Sequence, residues 1–301
     1  MSFPYLTDII NAVFHTDLHL PLPTFGLCVA MAIVAAIWIA RKEIKRQQTL
    51  GALPVNTDDF FENVVVMSIL TGLLGARIFS ILDYPDEFVR EPISMIFSRS
   101  GLSIYGGLCF GIATGLLLLK RRAIPLLPML DATAPAMMLG YAIGRIGCQL
   151  SGDGDWGIVA NMQIKPEWLP DWFWSQTYQG NIAGVIIPSP GVYPTPVYEI
   201  VMALAAFAIL WALRSQSNRA GYLFSVYLLL TGFERLLIEK IRINVRLDLF
   251  GIAFTQAEFI SLFIVLFGLM GVLATVKTRS VVIKGIFAAT VLTLLSACAP
   301  H

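Results

Sequence analysis

Charge is what this sequence has least of. Only 14% of its 301 residues are Asp, Glu, Lys or Arg, against about 25% in a soluble domain. Hydrophobic residues make up 56% and the mean hydropathy is +0.73, which excludes an ordinary soluble domain. Neither sign of charge dominates. The net charge is +1, so the chain lacks the basic footprint of a nucleic-acid-binding protein. Histidine is almost missing: His15, His19 and His301 lie near the two ends and form no cluster. Cys28, Cys109, Cys148 and Cys298 sit in or beside apolar runs and form no CxxC pair, which argues against a disulfide framework and a zinc site. A signal peptide is not expected at the N-terminus. It lacks a basic n-region, and Asp8, His15, Asp17 and His19 precede the first apolar run.

What is present is apolar sequence in blocks of membrane-spanning length, about 20 residues each. They fall near 23–40, 62–83, 102–119, 125–150, 195–213, 220–241 and 257–276, with a shorter run at 285–297. The expected fold is an all-α polytopic integral membrane protein of about seven transmembrane helices plus a short C-terminal apolar segment. Every second loop is basic: Arg41, Lys42, Lys45 and Arg46; Lys120, Arg121 and Arg122; Arg214 and Arg219; Lys277 and Arg279. By the positive-inside rule these loops are cytoplasmic and the N-terminus is outside. Lys240, Arg242 and Arg246 break the pattern on the outer side, which reads as function. The longest connection, about 151–194, is also outside. It holds Trp156, Trp168, Trp172, Trp174 and Tyr178, as either an interfacial anchor or a lid facing substrate.

On this topology the polar residues converge near the outer leaflet. Arg77 ends the second span, Ser103 and Tyr105 open the third, and Arg145 ends the fourth. Glu199 opens the fifth, Glu234, Arg235, Glu239, Lys240 and Arg242 end the sixth, and Gln256 and Glu258 open the seventh. Snorkelling at helix ends explains any one of these, but Arg77, Arg145 and Arg235 have apolar flanks. An arginine at membrane depth costs roughly 2.5–3.5 kcal/mol on insertion scales and marks a functional site by default. Its planar fork of donors matches a phosphate, so the implied ligand is a lipid phosphate. Arg235, Glu239 and Arg242 have i, i+4, i+7 spacing and are expected on one helix face, as a catalytic group or as a structural ladder. The Gly107-x3-Gly111-x3-Gly115 and Gly140-x3-Gly144 stripes are expected to be packing surfaces.

The run Gly144-Arg145-Ile146-Gly147, followed by the acidic turn Gly152-Asp153-Gly154-Asp155-Trp156, resembles the signature of the bacterial phosphatidylglycerol–prolipoprotein diacylglyceryl transferases. Gly75-Ala76-Arg77, Gly101 to Leu108, Tyr193-Pro194-Thr195-Pro196-Val197-Tyr198-Glu199 and Arg235-x3-Glu239-x2-Arg242 match in the same order, over roughly residues 20–277. The resemblance implies a multi-pass enzyme of the bacterial inner membrane with a periplasmic N-terminus. Residues 1–276 would form the transferase domain. It would move the diacylglyceryl group of phosphatidylglycerol to the lipobox cysteine thiol of a prolipoprotein signal peptide, releasing glycerol phosphate. Its partners are thus phosphatidylglycerol, prolipoprotein signal peptides and membrane lipid. Arg235, Glu239 and Tyr105 are the expected catalytic residues. Arg145, Arg77, Arg242, Glu199, Asp153 and Asp155 are expected at the phospholipid, with Glu239 orienting both Arg235 and Arg242. No metal or organic cofactor is implied.

The chain departs from the family at Tyr105 and Tyr193, where histidine is usual, at Cys148 and Ser151, where asparagine is usual, and by one inserted residue in the acidic turn. Either Tyr105 acts on the thiol or the thiol loses its proton elsewhere. A relative that binds lipid or signal peptide without catalysis is the alternative reading, and a membrane transporter is a more distant one. Residues 277–301 form a tail in which Leu295-Ser296-Ala297-Cys298 follows a basic and then a short apolar stretch. That resembles a lipobox itself. Cys298 is either lipidated or part of a simple hydrophobic tail.

Overall fold

The computed structural model describes residues 2–18, 22–97, 103–215, 219–244, 246–249 and 252–275. The lipobox-like tail with Cys298, and His19, lie outside the described residues. In chain order the helices are α1 (Leu6–Phe14), α2 (Thr24–Thr49), α3 (Thr57–Asp83), α4 (Pro85–Arg90), α5 (Pro92–Phe97), α6 (Ile104–Arg121), α7 (Leu126–Ser151), α8 (Asp171–Trp174), α9 (Thr195–Leu213) and α10 (Tyr222–Glu239). A short antiparallel hairpin of β1 (Arg246–Leu249) and β2 (Ile252–Thr255) leads into α11 (Gln256–Thr275), with Arg246 opposite Thr255.

The helices begin where local chemistry tells them to. Tyr5 N–H donates to the Asp8 carboxylate at 2.8 Å and starts α1. Pro196 occupies the first turn of α9, where a missing N–H costs nothing. Thr255 and Glu258 form a reciprocal capping box at α11, with bonds of 3.0 and 3.1 Å.

Among the described residues, α2, α3, α6, α7, α9 and α11 are long and apolar enough to cross a membrane. The protein is therefore an all-α, multi-pass membrane protein. The remaining expected span, the sixth, is α10; it also has 18 residues, but its final turns carry Glu234, Arg235 and Glu239. Its apolar length is cut short by the charges that make it interesting.

The chain forms two compact units: Ile37–Thr133, and the residues on either side of that segment. In the first, α3 and α6 lie side by side. Their closest approach is at Gly75 and Gly106, where a Cβ would fall 2.6 Å from Phe110 Cβ and 2.7 Å from Phe79 Cβ, respectively. Gly111 and Gly115 continue this seam against Ser68. In the second unit, Ala134, Met138 and Ala142 of α7 pack with Ala203, Ala206 and Leu210 of α9, Leu223 and Val226 of α10 and Val272 of α11. Gly140 packs on Ala32 and Ala36, whereas a Cβ on Gly144 would meet nothing within 4 Å. The long connection between α7 and α9 is tied down. Trp156, Tyr178 and Val192 build a small core, Tyr178 donates to Gln149 at 2.7 Å, and Ser2 N–H donates to the Gln179 carbonyl at 2.7 Å.

Candidate active site

The site lies in the second unit, where α7 ends and α9 begins. Arg145 is six residues before the α7 C-terminal bound, Ser151. One turn earlier Tyr141 lies on the same face, and the guanidinium sits 5.1 Å from its ring centroid. The chain then turns through Gly152 and Gly154, both with left-handed φ (+62° and +101°). This turn returns Asp155 to Arg145.

Asp155 is clamped between two cations. Its Oδ2 accepts from Arg145 Nη1 and its Oδ1 from Arg242 Nη2. Asp153 accepts from the Asp155 N–H at 3.2 Å, and the Thr195 hydroxyl donates to the Asp155 carbonyl. Burial works against the charge on Asp155, but Arg242 and Arg145 outweigh it and hold the carboxyl below the usual carboxylate range.

Glu199, in the second turn of α9, is the centre of the network and is fully buried. Arg145 Nε lies 3.2 Å from its Oε2. Arg242 Nη1 and Arg235 Nη1 lie 3.7 and 4.0 Å from Oε1, which also accepts from the Tyr141 hydroxyl at 3.1 Å. Arg235 pairs with Glu239 one turn later at 3.2 Å, and Glu239 also accepts from Asn244 at 2.6 Å. Three guanidiniums thus meet Asp155, Glu199 and Glu239 in direct ion pairs.

The grouping differs from expectation in one respect. Arg242 does not share a helix face with Arg235, because α10 ends at Glu239. Nor does Glu239 hold it. Arg242 pairs with Asp155 and Glu199, and an isolated bridge to Gly157 fixes its backbone. Ile158 N–H donates to the Ile241 carbonyl at 2.8 Å beside it. Gly157 is required there, since a Cβ would collide with the Ile241 carbonyl and lie 3.1 Å from Tyr193 Cβ.

Arg145, Glu199, Asp155, Arg235, Glu239 and Arg242 are therefore together, and Asp153 stands beside Asp155. Arg77 on α3 and Tyr105 on α6 belong to the other unit. There Ser103 N–H donates to the Ala76 carbonyl at 3.1 Å, and Tyr105 is 59% exposed. Tyr141 is a site residue that the sequence did not single out, and Glu234 stood among the converging charges without a role of its own. The spacing of Tyr141 from Arg145 was a usable signal; Glu234 was hidden among the other charges of its helix. Cys148, Asp153 and Asp155 are the one grouping of metal-ligand types among the described residues, with atoms within 4.8 Å of one another. Both Asp155 oxygens are already on guanidiniums, so a cation would compete with two arginines.

The long loop between α7 and α9 divides its aromatics. Trp156 and Tyr178 are buried, and burial pushes the Tyr178 hydroxyl above its ordinary range. Trp168 and Trp172 are 82% and 60% exposed. Its core is structural, and its outward rings suit a headgroup layer.

The fold and this cluster define a class: a multi-pass membrane protein with an arginine–carboxylate site at the helix ends. The family profile described as prolipoprotein diacylglyceryl transferase matches residues 11–274, and the chain belongs to that family. Two curated relatives carry the name phosphatidylglycerol–prolipoprotein diacylglyceryl transferase. The protein of Leptospira interrogans (serogroup Icterohaemorrhagiae, serovar copenhageni) is 30% identical over 266 residues, covering 80% of this chain and 77% of its own. That of Bacillus cereus strain 03BB102 is 30% identical over 223 residues, covering 74% and 77%.

Proposed function

We propose that the chain transfers the diacylglyceryl group of phosphatidylglycerol to the lipobox cysteine thiol of prolipoprotein signal peptides, releasing glycerol phosphate, and that the arginine cluster is where it does so. The carrying observation is the pairing of Arg145 and Arg242 across one carboxylate. Two guanidiniums that can share one anion suit a phosphodiester. Each has five N–H donors, so donors remain for the phosphate after the carboxylates are served. Glu199, Asp155 and Glu239 fix the forks, and the fixed charges then stabilise negative charge growing on the departing phosphate oxygen. Tyr105 and Arg77 are retained as candidate site residues. The enzyme resides in the bacterial inner membrane with its N-terminus periplasmic, which agrees with the basic loops.

The test is transfer from labelled phosphatidylglycerol to a lipobox peptide by purified protein. Arg145→Ala is expected to abolish thioether formation while the protein still inserts. Arg145→Lys should rescue little, because an ammonium lacks the fork. Full activity of Arg145→Ala would sink this reading.

A further inference from the structure

Glu199 is fully buried, yet among the described residues only one hydrogen bond reaches it. The Tyr141 hydroxyl donates to its Oε1 at 3.1 Å, and its Oε2 accepts none. The three guanidiniums around it stand at 3.2, 3.7 and 4.0 Å as ion pairs. Arg145 Nε and Arg242 Nη1 are buried and make no hydrogen bond. Coulomb attraction depends on separation, whereas a hydrogen bond weakens steeply as it bends. The guanidiniums therefore balance the charge of Glu199, and Tyr141 sets the roll of its carboxylate. Tyr141 also touches Arg145. Its ring centroid is 5.1 Å from the guanidinium carbon, within cation–π range. Tyr141 and Arg145 are one turn apart on α7, and Glu199 projects from α9. The three side chains thus close a triangle across two helices, and the tyrosine engages both members of the ion pair at once.

We propose that Tyr141 is a positioning residue for the transfer: it fixes the Glu199 carboxylate so that three arginines share it, and thereby aims the Arg145 fork at the phosphate. This rests on the arginine cluster being the reaction site. With the hydroxyl on Oε1, Oε2 faces Arg145 Nε, and Oε1 is left for Arg242 and Arg235. Arg145 is then gripped at Nη1 by Asp155 and at Nε by Glu199, so the direction of its remaining nitrogen, Nη2, is fixed. Without the hydroxyl the carboxylate is able to turn and take one arginine with both oxygens, the bidentate geometry that a carboxylate and a guanidinium favour. That turn draws the fork toward Glu199 and away from the phosphate. The ring limits the same motion from the other side, because Arg145 rests against it. Tyr141 itself bonds no substrate atom in this role, and no proton passes through it. It acts through Glu199 and Arg145, on the alignment that matters as charge grows on the departing phosphate oxygen.

The experiment compares wild type with Tyr141→Phe, Glu199→Asp and the double variant, using labelled phosphatidylglycerol in detergent micelles and a lipobox peptide thiol. Tyr141→Phe keeps the ring and loses the donor. It should lower kcat by about tenfold or more and leave KM for phosphatidylglycerol within about twofold, because the ion pairs that attract the phosphate remain. Glu199→Asp keeps the charge but draws the acceptor away from the hydroxyl, and should lower kcat in the same way. Tyr141→Phe added to Glu199→Asp should then cost less than about twofold more, since both changes break one contact. Thermal unfolding in the same detergent is read in parallel. A tyrosine that only supports the fold would lower the melting temperature and leave kcat of the folded protein at its wild-type value; that result overturns the proposal. So does a loss carried by KM alone, or losses that multiply in the double variant. Should Tyr141→Phe not fold, Glu199→Asp decides in its place, and a wild-type kcat there is the negative result. Arg145→Ala run alongside separates the two readings. If it is inactive while Tyr141→Phe is fully active, only the positioning role is wrong; if it is active, the site itself is wrong.

Discussion

Arg145 and Asp155 stand ten positions apart and meet because the chain reverses through two left-handed glycines between them. A sequence shows both residues and the glycines, but it does not show which cation the acid will take. Asp155 took two. Its charged form is favoured in the folded protein, so it contributes stability above the ordinary carboxylate pKa of about 3.9. That contribution is lost as pH falls through its lower folded value. Asp155→Asn should therefore lower the melting temperature by a constant amount from pH 5 to 8. The difference between the two proteins should shrink below about pH 4; thermal unfolding in detergent across this range checks it. Glu199 has a different role. It is fully buried among three guanidiniums, and removing one partner from a buried ionic group costs about 3–5 kcal/mol. Glu199→Gln should be visibly destabilised and inactive by the same two assays. Wild-type stability in that variant would mean that Asp155 and Glu239 suffice to hold the arginines.

At the scale of elements, the long helices were legible because apolar length is a strong signal. Each of the seven expected runs falls within or close to a helix. The small elements were not legible. α1 is nine residues long, the hairpin strands have four residues each, and α4 and α5 six each, all too short for a periodicity to emerge. Their starts rest on caps and turns that tertiary contacts decide. The C-terminus of α10 shows the cost of reading spacing alone. Residues 235, 239 and 242 suit one face of a continuing helix, yet the helix stops at Glu239, and the loop carrying Arg242 bridges to Gly157. That contact yields a prediction at the same scale. Gly157→Ala pushes on the Ile241 carbonyl and displaces Arg242. A shift near 1 Å costs about 10²-fold in a positioned site, so transfer should fall by that order with folding retained. Gly144→Ala, whose Cβ meets nothing within 4 Å, should leave the fold unperturbed in the same thermal assay.

At the scale of the whole molecule, scarcity of charge carries the argument. In a chain with 14% charged residues, basic residues in alternate loops predict an orientation, and cations inside helices mark work to be done. Along the chain, α7, long and apolar enough to cross a membrane, stands between the basic stretch Lys120–Arg122 and the long loop with its exposed Trp168 and Trp172. If the loop lies at the periplasmic headgroup layer, these two positions report from opposite sides of the membrane. Trp168→Cys and Arg121→Cys, each made in a background without the native cysteines, provide the readout with a membrane-impermeant maleimide. In spheroplasts Trp168→Cys should label at once, and Arg121→Cys only after permeabilisation. Labelling of both from the same side would remove α7 as a crossing. Labelling in the reverse order would place the arginine cluster at the cytoplasmic face, away from exported lipobox thiols.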